Sequence, residues 1–192
     1  GVQSGGGWIM DKEETDMDKA KLLELIRRRV LLLDGATGTE LQKRGMPQGV
    51  CPELWCLENP GPLTEIHRAY RSAGSDVVYA CTFGANRLKL AEYGTHDVAG
   101  VNRCLAELAR KAVPGCFVAG DLAPTGRFVE PFGPLPFEEA VGIYKEQVRG
   151  LLEGGVDLFV IETMIDIQET RAALIAVREL TEAFCMVTMT YE

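Results

Sequence analysis

Five short apolar runs recur along the chain, and each ends in a small polar or acidic cluster. The runs are VLLLDGATGTE from Val30, DVVYACTFGANR from Asp76, CFVAGDLAPTG from Cys116, DLFVIET from Asp157 and CMVTMTYE from Cys185. Short, continuous apolar runs rich in Val, Ile and Leu are typical of strands that are buried on both faces. The pattern therefore predicts five strands with polar residues at their carboxyl ends.

Between these runs, apolar residues recur every three or four positions, which predicts amphipathic helices. Strands that alternate with helices in this way predict a parallel sheet with helices packed on it. The four apolar stripes consist of Leu63, Ile66, Tyr70 and Ala73; Val98, Val101, Leu105, Leu108 and Ala112; Phe137, Ala140, Val141, Tyr144, Val148, Leu151 and Leu152; and Ala173, Leu174, Val177 and Leu180.

Both an open doubly wound sheet and a closed barrel fit this alternation. An open nucleotide-binding sheet usually has a glycine-rich phosphate loop after its first strand, but DGATGTE has neither the G-x-G-x-x-G spacing nor the Walker lysine. Asp34, Thr82, Asp121 and Glu162 lie at or just past the ends of four different strands, as in the mouth of a barrel. The pattern favours an α/β fold of the (β/α)8 TIM-barrel type, with about five of the eight βα units present.

Composition narrows the classes of protein. The chain is 46% hydrophobic and 25% charged, which is typical of a globular domain. Its net charge of −8 disfavours nucleic acid and anionic membranes as partners, and the sequence contains neither a bilayer-spanning run nor a signal peptide. We expect a cytoplasmic protein in which residues 1–16 form a flexible leader and residues 17–192 form the partial barrel.

The chain has six cysteines, and their spacing does not predict a metal site. Cys51 and Cys56 flank PELW without the spacing of a zinc knuckle, and neither His67 nor His96 supplies a partner at a recognisable distance. Cysteines inside apolar strand runs behave as small hydrophobic residues. We therefore assign no metal ligand among the residues present.

Four separated segments of the chain carry a recognisable pattern. They are LLLDGATGTELQKRG from Leu31, TFGANRLKL from Thr82, GDLAPTG from Gly120 and VDLFVIETMIDIQETRAAL from Val156. These segments resemble the homocysteine S-methyltransferase family and occur in the family's order and spacing. They are most similar to the amino-terminal homocysteine-binding modules of cobalamin-dependent methionine synthases. The resemblance implies a (β/α)8 barrel that binds zinc and homocysteine at its mouth.

The resemblance also implies the substrate contacts. Asp34 and Gly35 match the family's substrate-contacting pair after the first strand, and Glu162 matches the glutamate that binds the homocysteine amino group. Thr82 matches a threonine whose hydroxyl donates to the substrate carboxylate. The alternative for Glu162 is a structural ion pair with Arg87 or Arg127, and the alternative for Thr82 is a turn hydroxyl bonded to its own backbone.

Two further features after the strands leave alternatives open. The small residues 35–39 after Asp34 either direct backbone N–H groups at a carboxylate or form an ordinary strand-to-helix turn. The family often has Asn before the threonine of the TFGANR motif, where this chain has Cys81. That difference changes the polarity of the site, and the role of Asp121 is open.

Ionisation of the substrate thiol needs help, because a free thiol has a pKa of about 8.5 and the thiolate is the nucleophile. The family uses zinc held by three cysteines, and we expect the corresponding ligands beyond Glu192. We therefore assign no catalytic residue, and we expect the isolated chain to be inactive.

Three functions remain open at this point. The first is methyl transfer to homocysteine by a methionine synthase type of enzyme, with methylcobalamin or a methyltetrahydrofolate-linked donor delivered by another module or protein. The second is the same reaction with S-methylmethionine or betaine as donor. The third is a catalytically incomplete fragment or split subunit with a role in binding or assembly. Five units would leave unpaired barrel edges, through which we expect the chain to self-associate.

Overall fold

The structure is a computed structural model that describes the backbone of residues 12–191 and the side chains of residues 19–191. Residues 1–11 of the expected leader lie outside the described residues. From Lys12 onward the chain is already helical, so the first helix begins before the predicted start of the folded part at residue 17.

The described residues form eight helices and four strands in largely alternating order. Helices α4, α6, α7 and α8 coincide with the four predicted apolar stripes. The elements are α1 (Lys12–Arg28), α2 (Gly38–Lys43), α3 (Pro52–Glu58), α4 (Pro60–Ala73), β1 (Val77–Tyr79), α5 (Arg87–Ala91), α6 (Val98–Ala112), β2 (Phe117–Leu122), α7 (Phe137–Glu153), β3 (Leu158–Met164), α8 (Ile167–Leu180) and β4 (Phe184–Met189).

The strands form one parallel sheet in the order β1-β2-β3-β4. Val77 pairs with Phe117, Ala119 pairs with Leu158, and Leu158 pairs with Phe184. Strands that follow one another in space as in sequence form the wall of a barrel, whereas a doubly wound sheet reverses its strand order. This topology confirms the predicted barrel type of fold.

The first apolar run departs from the prediction of a full strand. Leu33 forms only an isolated parallel bridge with Val77. The N–H of Leu32 donates to the Asp76 carboxylate at 3.0 Å, in place of a backbone carbonyl of a neighbouring strand. In the described residues this segment pairs on one side only, which limits its ladder. The described sheet therefore contains four strands and a bridge where five strands were predicted.

The two faces of the sheet bury different sets of side chains. The outer face and the helices α6, α7 and α8 enclose the largest core cluster, in which Phe159 and Tyr144 are fully buried. The inner face contributes Val77, Ala119 and Val160 to a second cluster, together with Leu22 of α1, which is only 1% exposed. Helix α1 therefore covers the inner face of the sheet, on the side away from the polar strand ends.

Apolar side chains at both edges of the sheet are exposed. Val30 and Leu32 beside β1 are 81% and 54% exposed, and Val187 on β4 is 38% exposed. Unpaired apolar edges of this kind promote association, so self-association stays a prediction for this chain. Among the helices of residues 12–191, none is both long enough and apolar enough to cross a membrane.

Two glycines of α7 offer a matched test of helix packing. A Cβ at Gly150 would overlap the carbonyl oxygen of Ala99 in α6, whereas a Cβ at Gly142 would meet no atom within 4 Å. We predict that Gly150→Ala lowers the free energy of unfolding by about 1–3 kcal/mol through overpacking. Gly142→Ala should raise it by about 0.5–1 kcal/mol through helix propensity. Urea denaturation of both variants measures these values, and equal effects would contradict the close contact between α6 and α7.

Candidate functional site

A cavity of about 780 Å³ lies at the carboxyl ends of the first four polar-ended segments. Asp34, Gly35 and Glu162, which were predicted as substrate-binding residues, all line this cavity. Asp121, whose role was open, lines it as well, as does Glu53 of α3. The structure thus brings these four carboxyl groups, and that of Glu92, to one cavity. None of them forms an ion pair within residues 19–191.

Asp34 is held at the cavity wall by the neighbouring strand. Its Oδ2 accepts a hydrogen bond of 3.0 Å from the N–H of Tyr79. Burial raises the pKa of Asp34 to about 7, in spite of the backbone hydrogen bonds that lower it, and the nearby charge of Glu162 adds to the rise. Asp34 is therefore a carboxyl group that titrates near neutral pH.

Gly35 follows Asp34 and allows a close approach of Tyr70 from α4. The hydroxyl of Tyr70 donates to the carbonyl of Ala36 at 2.9 Å. A Cβ at Gly35 would lie 2.8 Å from that hydroxyl oxygen. The glycine therefore allows the backbone of residues 35–38, which borders the cavity, to pack directly against Tyr70.

Asp121 and Glu162 face each other from the inner side of β2 and β3. Asp121 is 3% exposed, and no donor from the described protein reaches its Oδ1. Burial is the main cause that raises the pKa of Asp121 far above its ordinary value. The charge of Glu162 and a hydrogen bond with Glu162 raise it further. The protonated form of Asp121 is therefore favoured beside Glu162.

Thr82 lies beside the cavity but does not line it. The side chain is fully buried, its hydroxyl donates to the carbonyl of Asp121 at 2.9 Å, and its oxygen lies 3.2 Å from the N–H of the same residue. The hydroxyl therefore joins the end of β1 to β2 instead of bonding to its own backbone. Its predicted contact with the substrate carboxylate stays a prediction, and this geometry does not support it.

A network of buried amides supports the segment that follows Thr82. Asn86 caps α5 by accepting hydrogen bonds of 3.1 Å from the N–H groups of Leu88 and Lys89. Asn102 donates to the carbonyl of Ala85 at 2.9 Å, and Gln147 donates to the carbonyl of Thr82 at 3.2 Å. Helices α6 and α7 therefore fix the segment through side-chain amides.

Glu53 was not predicted as a site residue. It is 4% exposed and accepts a hydrogen bond of 2.5 Å from the N–H of Gly84. The thiol of Cys51 donates to it at 3.2 Å. Because Glu53 comes from a short helix outside the strand pattern, the rule that places polar residues at strand ends does not find it. The burial of an acidic residue in α3 became evident only in three dimensions.

Tyr79 is the second cavity residue that was not predicted. It lies on β1 two positions after the inward-facing Val77, so strand alternation alone places it on the inner face. Burial, with the charges of Glu162, Asp121 and Asp34, raises its pKa above its ordinary value. The phenol therefore stays protonated in the cavity.

Buried carboxylates of α8 hold the loop between β2 and α7 in place. Glu169 accepts hydrogen bonds from the N–H and the hydroxyl of Thr125 at 2.7 and 2.6 Å, and from the hydroxyl of Tyr144 at 3.0 Å. Asp166 accepts one of 2.7 Å from the N–H of Val129. The IDIQET part of the last motif thus fixes the GDLAPTG loop, which borders the cavity.

Two basic side chains also border the cavity, and neither forms an ion pair with its carboxyl groups. Arg127 and Lys89 line it. Arg87, an alternative partner predicted for Glu162, instead lies 3.1 Å from Glu146. In the described part of the chain, no ion pair joins Glu162 to Arg87 or Arg127. The alternative reading of Glu162 as half of a structural ion pair is therefore not supported.

The donor groups in this cavity do not fit a zinc site. The described residues contain no group of three or more His, Cys, Asp or Glu side chains arranged to hold a metal ion. Burial raises the pKa of Cys51 to about 11, and a hydrogen bond with Cys56, followed by burial, raises the pKa of Cys81. These thiols are protonated at neutral pH, whereas zinc binds thiolates. The expected position of zinc ligands beyond Glu192 stays a prediction.

Parallel strands with a ligand-sized acidic cavity at their carboxyl ends define an enzyme-like barrel site. The profile of the homocysteine S-methyltransferase family matches residues 31–192. The chain belongs to the homocysteine S-methyltransferase family, as its four motifs predicted.

Solved structures of the homocysteine methyltransferase MmuM from Escherichia coli are similar to this chain. The metallated and oxidized forms match with TM-scores of 0.77 and 0.76 and 25% identity; each match covers 89% of this chain and, respectively, 67% and 66% of the solved chain. The apo form matches with a TM-score of 0.67 and 25% identity, covering 88% of this chain and 62% of the solved one. The chain thus spans about two thirds of the length of these proteins.

The raised pKa of Asp34 predicts a specific effect of pH on stability. An unfolded Asp ionises near 3.8 and the folded Asp34 near 7, so between these values the folded state binds more protons. The free energy of unfolding then falls as pH rises, by up to about 1.4 kcal/mol per pH unit. Asp34→Asn should remove this contribution, which is measured by urea denaturation from pH 4 to pH 8. Parallel curves for the two proteins would contradict the raised pKa.

Proposed function

We propose that the cavity binds homocysteine and that the chain is part of an enzyme that transfers a methyl group to the homocysteine sulfur. The observation that carries this proposal is the convergence of Asp34, Asp121 and Glu162 in one cavity, where none of them forms an ion pair with a described residue. Buried carboxyl groups are costly unless they are paired or protonated. A substrate ammonium group supplies the missing charge, and family membership supports homocysteine as the amino acid that carries it.

The geometry supports Glu162 and Asp34 as the partners of the ammonium group. Both side chains are partly buried at the cavity wall, and each influences the titration of the cavity through its charge. The substrate carboxylate would then lie toward the basic side chains of Arg127 and Lys89, away from the carboxyl groups of the cavity. A contact of Gly35 with the substrate and a contact of Thr82 with the substrate carboxylate are part of the proposal on the ground of their family match alone.

For the chemistry, we propose the methionine synthase type of reaction, in which homocysteine becomes methionine and the methyl group comes from methylcobalamin or a methyltetrahydrofolate-linked donor. The residues of the DGATGTE and TFGANR motifs support this type, because they are most similar to those of methionine synthases. S-methylmethionine and betaine are the alternative donors. Methionine formation is assayed with each donor in turn, with zinc added. We expect none from the chain by itself, and methionine formed with one donor would contradict the expected inactivity and identify that donor.

The proposal predicts that Glu162→Gln weakens the binding of L-homocysteine by about 10-fold or more, since a hydrogen bond to a charged group contributes about 1.5–3 kcal/mol. Glu179→Gln is the matched control, because it makes the same chemical change at a side chain that is 53% exposed and pairs with Lys145 on the outer helices. Isothermal titration calorimetry under reducing conditions measures both affinities. Unchanged binding in Glu162→Gln would contradict the assignment of Glu162 to the ammonium group.

A further inference from the structure

The pair formed by Asp121 and Glu162 is the part of the cavity that the motifs leave unexplained. Asp121 lies on the inner face of β2, one residue before the strand ends at Leu122. Its side chain is almost completely buried, yet its Oδ1 receives no hydrogen bond from any described donor. An ionised carboxylate in that position would be both desolvated and unpaired, which is costly.

The groups around Asp121 make this cost larger. Glu162 from β3, Asp34 from the first segment and Glu53 from α3 all act on Asp121 with negative charge. Tyr79 and Cys81 from the β1 segment also face it, and both stay neutral because their own pKa values are raised. The basic residues Arg127 and Lys89 line the same cavity but form no ion pair with Asp121. In the free protein the stable arrangement is therefore a protonated Asp121 that donates its hydrogen bond to Glu162.

We propose that Asp121 and Glu162 form a proton-sharing pair that recognises the ammonium group of the substrate, and that ammonium binding expels the shared proton to solvent. This inference rests on the proposed function. The ammonium group supplies the N–H donors that the buried Oδ1 of Asp121 lacks, so the charge of the pair changes from −1 to −2 when the cation arrives. The O–H bond of the protonated carboxyl group breaks, its electron pair stays on the carboxylate, and the proton passes to a buffer base; no other covalent bond changes.

The consequence is a selectivity for amino acids over the corresponding carboxylic acids. A ligand without the ammonium group leaves the proton on the pair, so the pair contributes no favourable free energy to its binding. A ligand with the ammonium group exchanges one positive charge for another inside the cavity. Its affinity rises with pH as long as Asp121 is protonated in the free protein, by up to about tenfold per pH unit.

The test counts protons with a ligand that has no thiol, so that ionisation of sulfur does not contribute. L-methionine is titrated into the chain at pH 8 in buffers of different ionisation enthalpy, and calorimetry gives the number of protons released. At pH 8 Asp34 is already largely ionised, because its pKa is about 7, so Asp121 dominates the count. We expect about one proton released by the wild type and none by Asp121→Asn.

Two comparisons complete the experiment. The acid 4-(methylsulfanyl)butanoic acid, which is methionine without its ammonium group, should release no proton from the wild type. The affinity of the wild type for L-methionine should rise with pH, and that of Asp121→Asn should not. The wild-type measurements need no variant, so they decide the matter even if Asp121→Asn does not fold.

The outcomes separate this inference from the proposed function. If L-methionine and L-homocysteine bind and no proton is released, or if Asp121→Asn releases as many as the wild type, the proton-sharing pair is refuted while the amino-acid site stands. If neither amino acid binds, the proposed function fails, and this inference fails with it.

Discussion

Among the described residues, no basic side chain forms an ion pair with the carboxyl groups of the cavity, and the rest of the structure's function depends on this constraint. Asp34, Asp121 and Glu162 meet at the carboxyl ends of parallel strands, where the fold removes them partly or almost fully from water. A protein interior tolerates such groups only when they are protonated, hydrogen-bonded or paired. Among the described residues, protonation and hydrogen bonds satisfy these carboxyl groups only in part, and no cation pairs with them. A cationic ligand supplies the missing pairing.

The surrounding structure keeps that arrangement rigid. Thr82 joins the ends of β1 and β2 directly beneath Asp121, and Glu53 holds Gly84 at the wall. On the other side, Glu169 fixes the loop at Thr125 through two hydrogen bonds. Several buried polar side chains near the cavity therefore serve to hold backbone, whereas Asp34, Asp121 and Glu162 line the cavity and form no ion pair with any described residue. This division separates residues that shape the site from residues that are free to bind.

Much of the fold could be predicted from the sequence, because its signals are local. Continuous apolar runs placed β1, β2, β3 and β4, and the apolar stripes placed the four long helices that pack on them. The first run failed as a strand because strand formation depends on partners, and among the described residues Leu33 pairs with Val77 alone. The pairing of a strand depends on its neighbours in the sheet, so the residues of a single segment do not determine it.

The site was predictable to a smaller extent. The rule that polar residues follow barrel strands found Asp34, Asp121 and Glu162, and family resemblance selected Gly35. The same rule also selected Thr82, whose side chain turns away from the cavity to bond with β2, and it passed over Glu53, which enters from a helix. Whether a polar side chain binds a ligand or holds a neighbouring backbone depends on distances of a few ångströms, which sequence spacing does not determine.

The most direct measurement of the central claim is carbon-13 NMR of the side-chain carboxyl groups, titrated with pH in the free protein and in the presence of L-methionine. The account predicts that Asp34 titrates near pH 7 in the free protein and that the midpoint of Asp121 is raised far above its ordinary value, with both midpoints moving to lower pH when the amino acid binds. Carboxyl groups that all titrate at ordinary values and do not respond to the amino acid would contradict it.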